Sequence, residues 1–345
     1  MVGQERDSGS PVRAAAAVEE ERPERESWRG SRTVLVTGAS GLVGTHACRE
    51  LARRGWQVRA LVRDRRKAVR RLAIAGVEIA TGDVRDRKAL GDALDDVDAV
   101  VHLAAIAIER RGESYETVNR DATSVLLDAM RAEGVERLIY MSQNGASSDS
   151  PYRFLRSKGA AEDGVRDSGL AWTIFKPSVI FGPEDEFVNV LARLVRLTPL
   201  VYPLPGGGKA RFQPVSVEDV ARAIGAALDG SHTERESYAL GGPEALTLRQ
   251  MVRRILVAMN TKRLLVGVPV ALIRPLVAVA QRVLPNPPVT TSLLDLLAVD
   301  NTIHSASVWP ELGITPVSFS PQNLAYLRRI TAGDAIESLF RRERA

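Results

Sequence analysis

The stretch Thr37-Gly38-Ala39-Ser40-Gly41-Leu42-Val43-Gly44 follows a short apolar run and opens a helix-like segment that continues to Arg54. Glycines three residues apart in this context predict a strand, a tight turn and the start of a helix. The first glycine permits the turn, the second lets a pyrophosphate approach the backbone, and the third lets the helix pack against the sheet. Backbone amides and the positive end of the helix dipole then favour an anion. The predicted phosphate cradle consists of Gly38, Ser40, Gly41, Leu42, Val43 and Gly44.

The glycine spacing differs by one residue from the most common dinucleotide fingerprint, and an ordinary glycine-rich turn is the alternative interpretation. The pattern on either side of it alternates apolar strands with helices. Such alternation predicts a doubly wound α/β fold, with a parallel sheet covered on both faces. The predicted strands are 34–37, 58–62, 77–80, 99–103, 138–142 and 172–176. The predicted helices are 44–54, 65–75, 88–94, 115–132, 151–167 (with Ser150 as N-cap and Pro151 as first residue) and 217–228.

The regular alternation of predicted strands and helices becomes less clear beyond Lys176. We predict a binding domain over residues 32–230, with 181–214 contributing to a second lobe. Residues 231–345 are predicted to form this smaller C-terminal lobe, which would contact a substrate or a partner. Residues 1–31 mix Arg, Glu, Ser and Pro, have no apolar core of signal-peptide length, and predict a disordered tail.

Composition argues against several functional classes. The formal net charge is +5 and aromatic residues make up 5% of the chain, which favours an anionic ligand without indicating nucleic-acid binding. Cys48 is the only cysteine, and the four histidines form no pair at metal-ligand spacing. We therefore expect no metal site, no internal disulfide, no nucleic-acid partner and a cytoplasmic location.

The segment Leu264–Leu284 is strongly apolar and about as long as a membrane span. Pro269 and Pro275 interrupt it, as do Arg274 and Arg282, so a buried or amphipathic helix is predicted. Contact with a partner protein or with a membrane is the alternative. The helix would then lie on the surface at the inner face of the membrane and would not cross it.

A basic residue follows the second predicted strand, where this type of fold places the adenosine ribose. An acidic residue there would select NAD by accepting a hydrogen bond from the 2′-hydroxyl group. Here Arg63 follows the strand, with Arg66 and Lys67 nearby, and an arginine pairs well with a 2′-phosphate. The pattern favours NADP(H) over NAD(H). Two alternatives remain: a loop shift that exchanges Arg63 with Asp64, or a solvated basic helix face.

Two further strand ends suggest cofactor contacts. Asp83 follows the third strand and precedes Val84; its carboxylate either accepts from the adenine amino group or caps the next turn. The fourth strand ends at His102, which we interpret as a packed strand residue. Small side chains then leave room for the ribose and pyrophosphate. The residues assigned to this second part of the cofactor site are Arg63, Asp83, Val84, Leu103, Ala104 and Ala105.

These motifs together resemble the short-chain dehydrogenase/reductase superfamily. The resemblance rests on the glycine pattern, Gly82-Asp83, His102-Leu103-Ala104-Ala105, Asn119, Ser142, residues 176–183 and residues 213–220. It looks like the extended and atypical branches, with epimerase- and dehydratase-like members. The group related to the NAD(P)H-binding accessory subunit of respiratory complex I is similar, also in residues 284–290. The resemblance implies a Rossmann fold over about residues 33–317. Lys176 and Pro177 are expected to shape the nicotinamide pocket, and a strand-end turn is the alternative interpretation.

The active site of that superfamily needs a tyrosine and a lysine four residues apart on one helix face. The lysine holds the nicotinamide ribose and lowers the pKa of the phenol, which passes a proton to the substrate. Lys158 matches the lysine, but Phe154 stands where the tyrosine belongs. Tyr152 lies six residues before Lys158, about 9 Å along a regular helix, and would need an irregular helix start to substitute. Ser142 is the nearest match to the expected serine.

The sequence therefore predicts an NADP(H)-binding protein with weak or no reductase activity. Its cofactor would stabilise the fold or report redox state to a partner. One alternative is an active NAD(P)-dependent reductase or epimerase that uses Lys158, Tyr152 and Ser142 on a small hydrophobic carbonyl such as a quinone or isoprenoid. Another is an assembly or accessory protein near the membrane.

Overall fold

The computed structural model of the chain describes residues 32–109, 112–297, 299–305 and 307–340. The predicted tail, 1–31, lies outside these ranges. The strands are β1 (Thr33–Thr37), β2 (Gln57–Val62), β3 (Val77–Thr81), β4 (Ala99–His102), β5 (Arg137–Met141), β6 (Ala171–Pro177), β7 (Ile180–Phe181), β8 (Val201–Pro205), β9 (Arg211–Phe212), β10 (Val215–Ser216), β11 (Glu236–Leu240), β12 (Leu246–Thr247) and β13 (Leu264–Val268).

Helices follow most of the strands. The α-helices are α1 (Leu42–Arg53), α2 (Arg65–Val69), α3 (Arg87–Leu94), α4 (Ala122–Glu133), α5 (Arg153–Arg166), α6 (Val188–Leu197), α7 (Val217–Asp229), α8 (Leu248–Ala258), α9 (Val270–Val283), α10 (Thr291–Leu296) and α11 (Ala332–Phe340). A π-helical turn, Glu116–Asp121, precedes α4. Short 3-10 helices cover Gly206–Gly208, Ser231–Thr233 and Ala325–Arg329.

A seven-stranded sheet in the order β11-β6-β5-β4-β1-β2-β3 forms the centre of the fold. Every neighbouring pair in it is parallel. Alternate residues of β1 face opposite sides: Val34 and Val36 pack in one core with α1 and α7, and Leu35 packs in another with α3, α4 and α5. The prediction of a doubly wound parallel sheet is confirmed. Its strands are apolar on both faces, as burial between two layers of helices requires.

A further core lies beyond the sheet. It is built from α6, β8, α8 and the residues around Phe319. The segment predicted for the C-terminal lobe also supplies β11 to the main sheet, and Trp309 packs into the core beside α1. The chain therefore crosses between the cores more than once after residue 230, and the domain boundary at 230 stays a prediction.

The helix expected over 115–132 is π-helical over Glu116–Asp121, and three further predicted helices differ from the structure. The helix expected over 65–75 ends at Val69 and is followed by a tight turn, in which the Arg71 amide donates to the Ala68 carbonyl three residues earlier at 2.9 Å. The helix expected from Pro151 starts at Arg153, since Tyr152 is extended with φ −86° and ψ 116°. The Ser150 hydroxyl accepts from the Tyr152 amide at 3.3 Å and does not cap the helix.

The last difference concerns Leu264–Leu284. Its first residues form strand β13, which pairs with β8 in a two-stranded parallel ribbon. The prediction of one helix is therefore wrong for residues 264–268; Pro269, whose ring cannot continue the strand ladder, separates β13 from α9. No helix in the described ranges has the length and apolar character that crossing a bilayer requires.

Candidate functional site

The loop between β1 and α1 forms the base of the candidate site. The Gly41 amide donates to the Gly38 carbonyl at 3.0 Å, which closes the turn, and the Gly41 carbonyl accepts from Thr45 at 3.0 Å, which begins the helix. Gly41 is the N-cap residue of α1 and brings no capping oxygen, and the first turn contains no acidic residue. An anion at this helix end would therefore meet backbone amides and the positive dipole without a competing carboxylate from that turn.

Each glycine of the loop is needed for a different reason. Gly38 has φ +68°, and a Cβ there would lie 2.7 Å from the Ala104 nitrogen. A Cβ on Gly44 would lie 2.2 Å from the Gly38 carbonyl oxygen and 2.6 Å from the Ala39 Cα. A Cβ on Gly41 would meet only the Gly38 oxygen, at 3.2 Å, so this position faces open space beside the helix end. The three positions fit the turn, the packing contact and the phosphate approach that a dinucleotide cradle needs.

The end of β4 lies against this loop because β1 and β4 are paired, with Thr37 opposite His102. Leu103 and Ala104 are half-buried at the glycine turn, and Ala105 is exposed. The His102 ring contacts the Thr37 hydroxyl at 2.6 Å through Nδ1 and the Thr123 hydroxyl at 3.1 Å through Nε2. Burial lowers the pKa of His102 to about 3, and the Lys158 charge acts in the same direction. His102 is thus a neutral, packed strand residue.

The residues after β2 lie at the rim of the site. The exposed Arg63 guanidinium is paired with the Glu113 carboxylate from the segment that follows β4. Asp64 is the N-cap of α2 and accepts from the Lys67 amide at 3.1 Å. Because its carboxylate is engaged in that cap, Asp64 does not exchange roles with Arg63 in this conformation.

Asp83 holds the turn that follows β3, one of the two roles expected for it. Its Oδ1 accepts from the Arg85 backbone amide at 2.9 Å, as in an Asx turn, and Arg85 Nη2 donates to Oδ2 at 2.6 Å. Hydrogen bonds from Arg85 lower the pKa of the Asp83 carboxyl. Val84 is half-buried and packs on the core beneath. A role for Asp83 and Val84 in binding adenine stays a prediction.

Lys158 is buried in α5 beneath the end of β5. Its Nζ donates to the Met141 carbonyl at 2.6 Å and lies 4.6 Å from the centre of the Tyr140 ring. Burial lowers the pKa of Lys158 from 10.5 to about 7, while the Glu162 carboxylate raises it. The Lys158 ammonium group therefore lies at the carboxyl end of β5. Its pKa is close to 7.

Ser142 faces an acidic residue that sequence reasoning missed. Its hydroxyl donates to Glu162, which is 4% exposed, and Glu162 also accepts from Lys176 Nζ at 3.1 Å. Glu162 lies four residues after Lys158 and so on the same helix face, a spacing that could have revealed it. The Ser142 hydroxyl thus makes a buried hydrogen bond to this carboxylate, and a catalytic role for Ser142 stays a prediction.

The structure separates Tyr152 from the helix face that carries Lys158. Phe154 occupies the position one turn before Lys158, and its ring packs edge-on against Tyr115 with centroids 5.6 Å apart. Tyr152 precedes the first residue of α5 in an extended conformation and is half-buried. The phenol that the resemblance requires is therefore absent from this turn of the helix. A catalytic role for Tyr152 stays a prediction.

Two pairs of polar contacts, one made by Asn119 and one by the Pro177 carbonyl, hold the surrounding loops. Asn119, in the π-helical turn, donates to the Ser157 hydroxyl at 3.1 Å and to the Ile106 carbonyl at 3.2 Å. The Pro177 carbonyl accepts from the Asn144 amide at 2.9 Å and from Gln143 Nε2 at 3.2 Å. The first pair ties the loop after β4 to α5, and the second pair ties the ends of β5 and β6. Pro177 thus lies at the sheet edge where the nicotinamide is expected.

Arg71 is a second residue that sequence reasoning missed. Its Nη1 donates to the Ser40 carbonyl in the glycine turn at 3.0 Å, and its Nη2 lies 3.4 Å from Glu184. The chain thus places a guanidinium directly on the cradle, although Arg71 follows the end of α2. The hydrophobic pattern of the sequence did not indicate the contact of Arg71 with Ser40, because this contact depends on the tight turn after Val69.

Lys158→Met is expected to raise the free energy of unfolding at about pH 6 by a few kcal/mol, with the gain shrinking towards pH 10. The folded pKa of about 7 lies below the unfolded value of 10.5, so the folded protein binds fewer protons between these values. The free energy of unfolding of the wild-type protein therefore rises with pH between these two values. Below about pH 7 the full free-energy cost of burying the ammonium group is present. Urea unfolding at both pH values measures the difference. The exposed Lys88→Met is the control, and a pH-independent difference at Lys158 would contradict the desolvated ammonium.

Comparisons with known proteins agree with this geometry. Residues 38–231 match the family model described as NAD(P)H-binding. The chain is 35% identical over 222 residues to NADH dehydrogenase (ubiquinone) 1 alpha subcomplex subunit 9, mitochondrial, of Arabidopsis thaliana, a match covering 63% of this chain and 55% of the plant protein. It is 33% identical over 192 residues to the ceramide reductase of Caulobacter vibrioides, covering 55% of this chain and 59% of that protein. It thus spans little more than half the length of either relative.

A solved structure shares the fold. The dTDP-glucose 4,6-dehydratase DesIV of Streptomyces venezuelae, crystallised with NAD and TYD, superimposes with a TM-score of 0.65 at 23% identity. The match covers 86% of this chain and 96% of that one. The resemblance to the complex I accessory subunit group is confirmed, and the Rossmann fold expected from the resemblance is shared with this dehydratase. Among the residues that the structure describes, no cluster of His, Cys, Asp or Glu has the arrangement of a metal site.

Proposed function

Since the chain belongs to the NAD(P)H-binding family, we propose that it binds NADP(H) as an accessory protein with weak or no classical reductase activity. One observation carries the proposal: the glycine cradle and Lys158 are in place, whereas Phe154 stands where the proton-donating phenol is required. Loss of a general acid typically slows a reaction 10²- to 10⁴-fold. The cofactor would instead stabilise the native state by mass action or report redox state to a partner.

The preference for NADP(H) is part of this proposal. Arg63 lies at the rim after β2, and Arg71 contacts the glycine turn. A 2′-phosphate would take hydrogen bonds from these guanidinium groups, which bind phosphate oxygens in a bidentate manner. Glu113 now pairs with Arg63, so a bound 2′-phosphate would compete with a carboxylate of this chain.

Identification of the nucleotide released from denatured protein, followed by titration with NADPH and NADH, tests both points. Wild-type protein is expected to show a melting shift that is larger with NADPH. Arg63→Ser should weaken NADPH binding by about 10-fold or more while leaving NADH binding within a few-fold, because a charge-assisted hydrogen bond contributes about 1.5–3 kcal/mol. The exposed Arg253→Ser, on α8, is the control. A protein without bound nucleotide and without any melting shift would refute the proposal.

A second candidate function is an active reductase or epimerase on a small hydrophobic carbonyl, such as a quinone or isoprenoid. The Caulobacter relative is named a ceramide reductase. Tyr152 lies six residues before Lys158 in the sequence. NADPH consumption by the wild-type protein that Tyr152→Phe abolishes would favour this function over the accessory one.

The proposal also includes a location. The plant relative is named as a subunit of a mitochondrial NADH dehydrogenase, which supports a partner protein or membrane surface for this chain. We place the protein in the cytoplasm at the inner face of the membrane, with Leu264–Leu284 as the contacting segment.

A further inference from the structure

An apolar stripe runs along one side of α9. Its residues Leu272, Leu276, Val279 and Val283 are 65%, 72%, 61% and 72% exposed. At about 100° per residue, they fall within an arc of about 60° on the helix surface. Val277, on another side of the helix, is buried against the neighbouring core. The stripe is therefore a second apolar side, in addition to the one that holds the helix in place.

The ribbon of β8 and β13 has an apolar side as well. Leu264 is paired with Val201, and both are exposed, at 66% and 44%. Val266 lies two residues further along β13, hence on the same side, and is 39% exposed. Only Pro269 separates β13 from α9. We call these residues together with the α9 stripe the docking surface.

The two sequence segments that carry the docking surface contain arginine and lysine but no acidic residue, although Arg254 among them is paired with Glu244 from just outside. Residues 187–217 and 245–294 contain no aspartate or glutamate. Their cations are Arg193, Arg196, Lys209, Arg211, Arg249, Arg253, Arg254, Lys262, Arg263, Arg274 and Arg282. Without these 11, the chain's 47 cations fall to 36 against 42 carboxylates. The positive charge of the protein is thus concentrated in the segments that carry the docking surface.

We propose that the docking surface binds a bilayer surface rich in anionic lipid, with α9 lying in the plane of the interface. The proposal specifies the partner of the accessory function above and rests on it. The apolar stripe would enter the boundary between headgroups and acyl chains, and the cations would be attracted to lipid phosphates. A second copy of the chain would present the same cations, and like charges across an interface oppose association.

Flotation of the full chain with vesicles tests this inference. Wild-type protein is expected to float with mixed phosphatidylglycerol and phosphatidylcholine vesicles, and to stay behind with phosphatidylcholine alone. Leu276→Glu should reduce flotation about tenfold or more, because it removes a leucine side chain that would be buried in the bilayer and adds a negative charge. Val257→Glu is the matched control, since Val257 is 64% exposed on α8 outside the docking surface.

Several results would overturn the inference. They are failure of the wild-type protein to float with anionic vesicles, equal flotation of the wild-type protein with neutral vesicles, and flotation of Leu276→Glu that equals that of the wild type. A wild-type dimer in size-exclusion chromatography that Leu276→Glu dissociates, without vesicle binding, would assign the surface to a second copy. The melting shift with NADPH is measured on each variant. Wild-type protein that floats with anionic vesicles but shows no melting shift with NADPH would instead count against the proposed cofactor function.

Discussion

Gly41→Ala is expected to weaken NADPH binding about 10- to 100-fold while the protein remains folded. The backbone at Gly41 has φ −76° and ψ 179°, which alanine adopts without strain. The added Cβ meets one protein atom, the Gly38 oxygen at 3.2 Å, and otherwise fills the space where a pyrophosphate would approach. We expect a stability cost of about 1 kcal/mol or less, because alanine is a poorer N-cap than glycine.

Isothermal titration with NADPH and urea unfolding measure the two effects separately. Gly91→Ala in α3 is the matched control: its Cβ would come no closer than 3.6 Å to a side-chain oxygen of Glu133. This variant should bind NADPH normally and gain up to about 1 kcal/mol of stability from helix propensity. Unchanged binding by Gly41→Ala would show that the dinucleotide does not approach this turn.

Phe154→Tyr is expected to increase NADPH-dependent turnover of a small quinone by about 10²- to 10⁴-fold. The new phenol would stand one helical turn before Lys158, the spacing at which the ammonium lowers the phenol pKa. Phe154 is half-buried and packs edge-on against Tyr115, so a para-hydroxyl group requires little change in packing. The loss of NADPH absorbance in the presence of the quinone measures the gain.

Phe154→Leu separates a chemical effect from a packing effect, since it changes the ring contact without adding a proton donor. It should show no gain, and all variants should bind NADPH like the wild type. If Phe154→Tyr binds NADPH normally yet remains inactive, the missing phenol does not explain weak turnover. The substrate pocket would then be the feature that departs from an active reductase.

The glycine turn and the sheet could be predicted because local chemistry and tertiary packing require the same residues. Gly38 and Gly44 each lie where a Cβ would collide with backbone, and the alternating residues of β1 fill two cores. The start of α5 could not be predicted, because Ser150 and Pro151 are good helix-start residues that a preceding turn uses instead. Propensity is a weak prior where neighbouring loops compete for the same groups.

Side-chain pairing in the candidate site was harder to foresee. The contacts of Arg63 with Glu113 and of Ser142 with Glu162 join residues 50 and 20 positions apart. Sequence spacing identified the individual residues but not their partners, since those partners depend on how the strand ends converge. The same holds for the strand in Leu264–Val268, whose partner β8 lies more than 50 residues earlier in the chain.

The late position of β11 has a consequence for biosynthesis. This strand completes the sheet beside β6, and Trp309, still further along, donates to the Gly241 carbonyl at 2.7 Å. A nascent chain that has just emerged through α7 would carry the whole glycine cradle but expose the edge of β6, and such edges promote aggregation. Ribosome-bound chains that end before residue 236 should therefore need chaperone protection. Chains long enough to add β11 to the sheet should no longer need it.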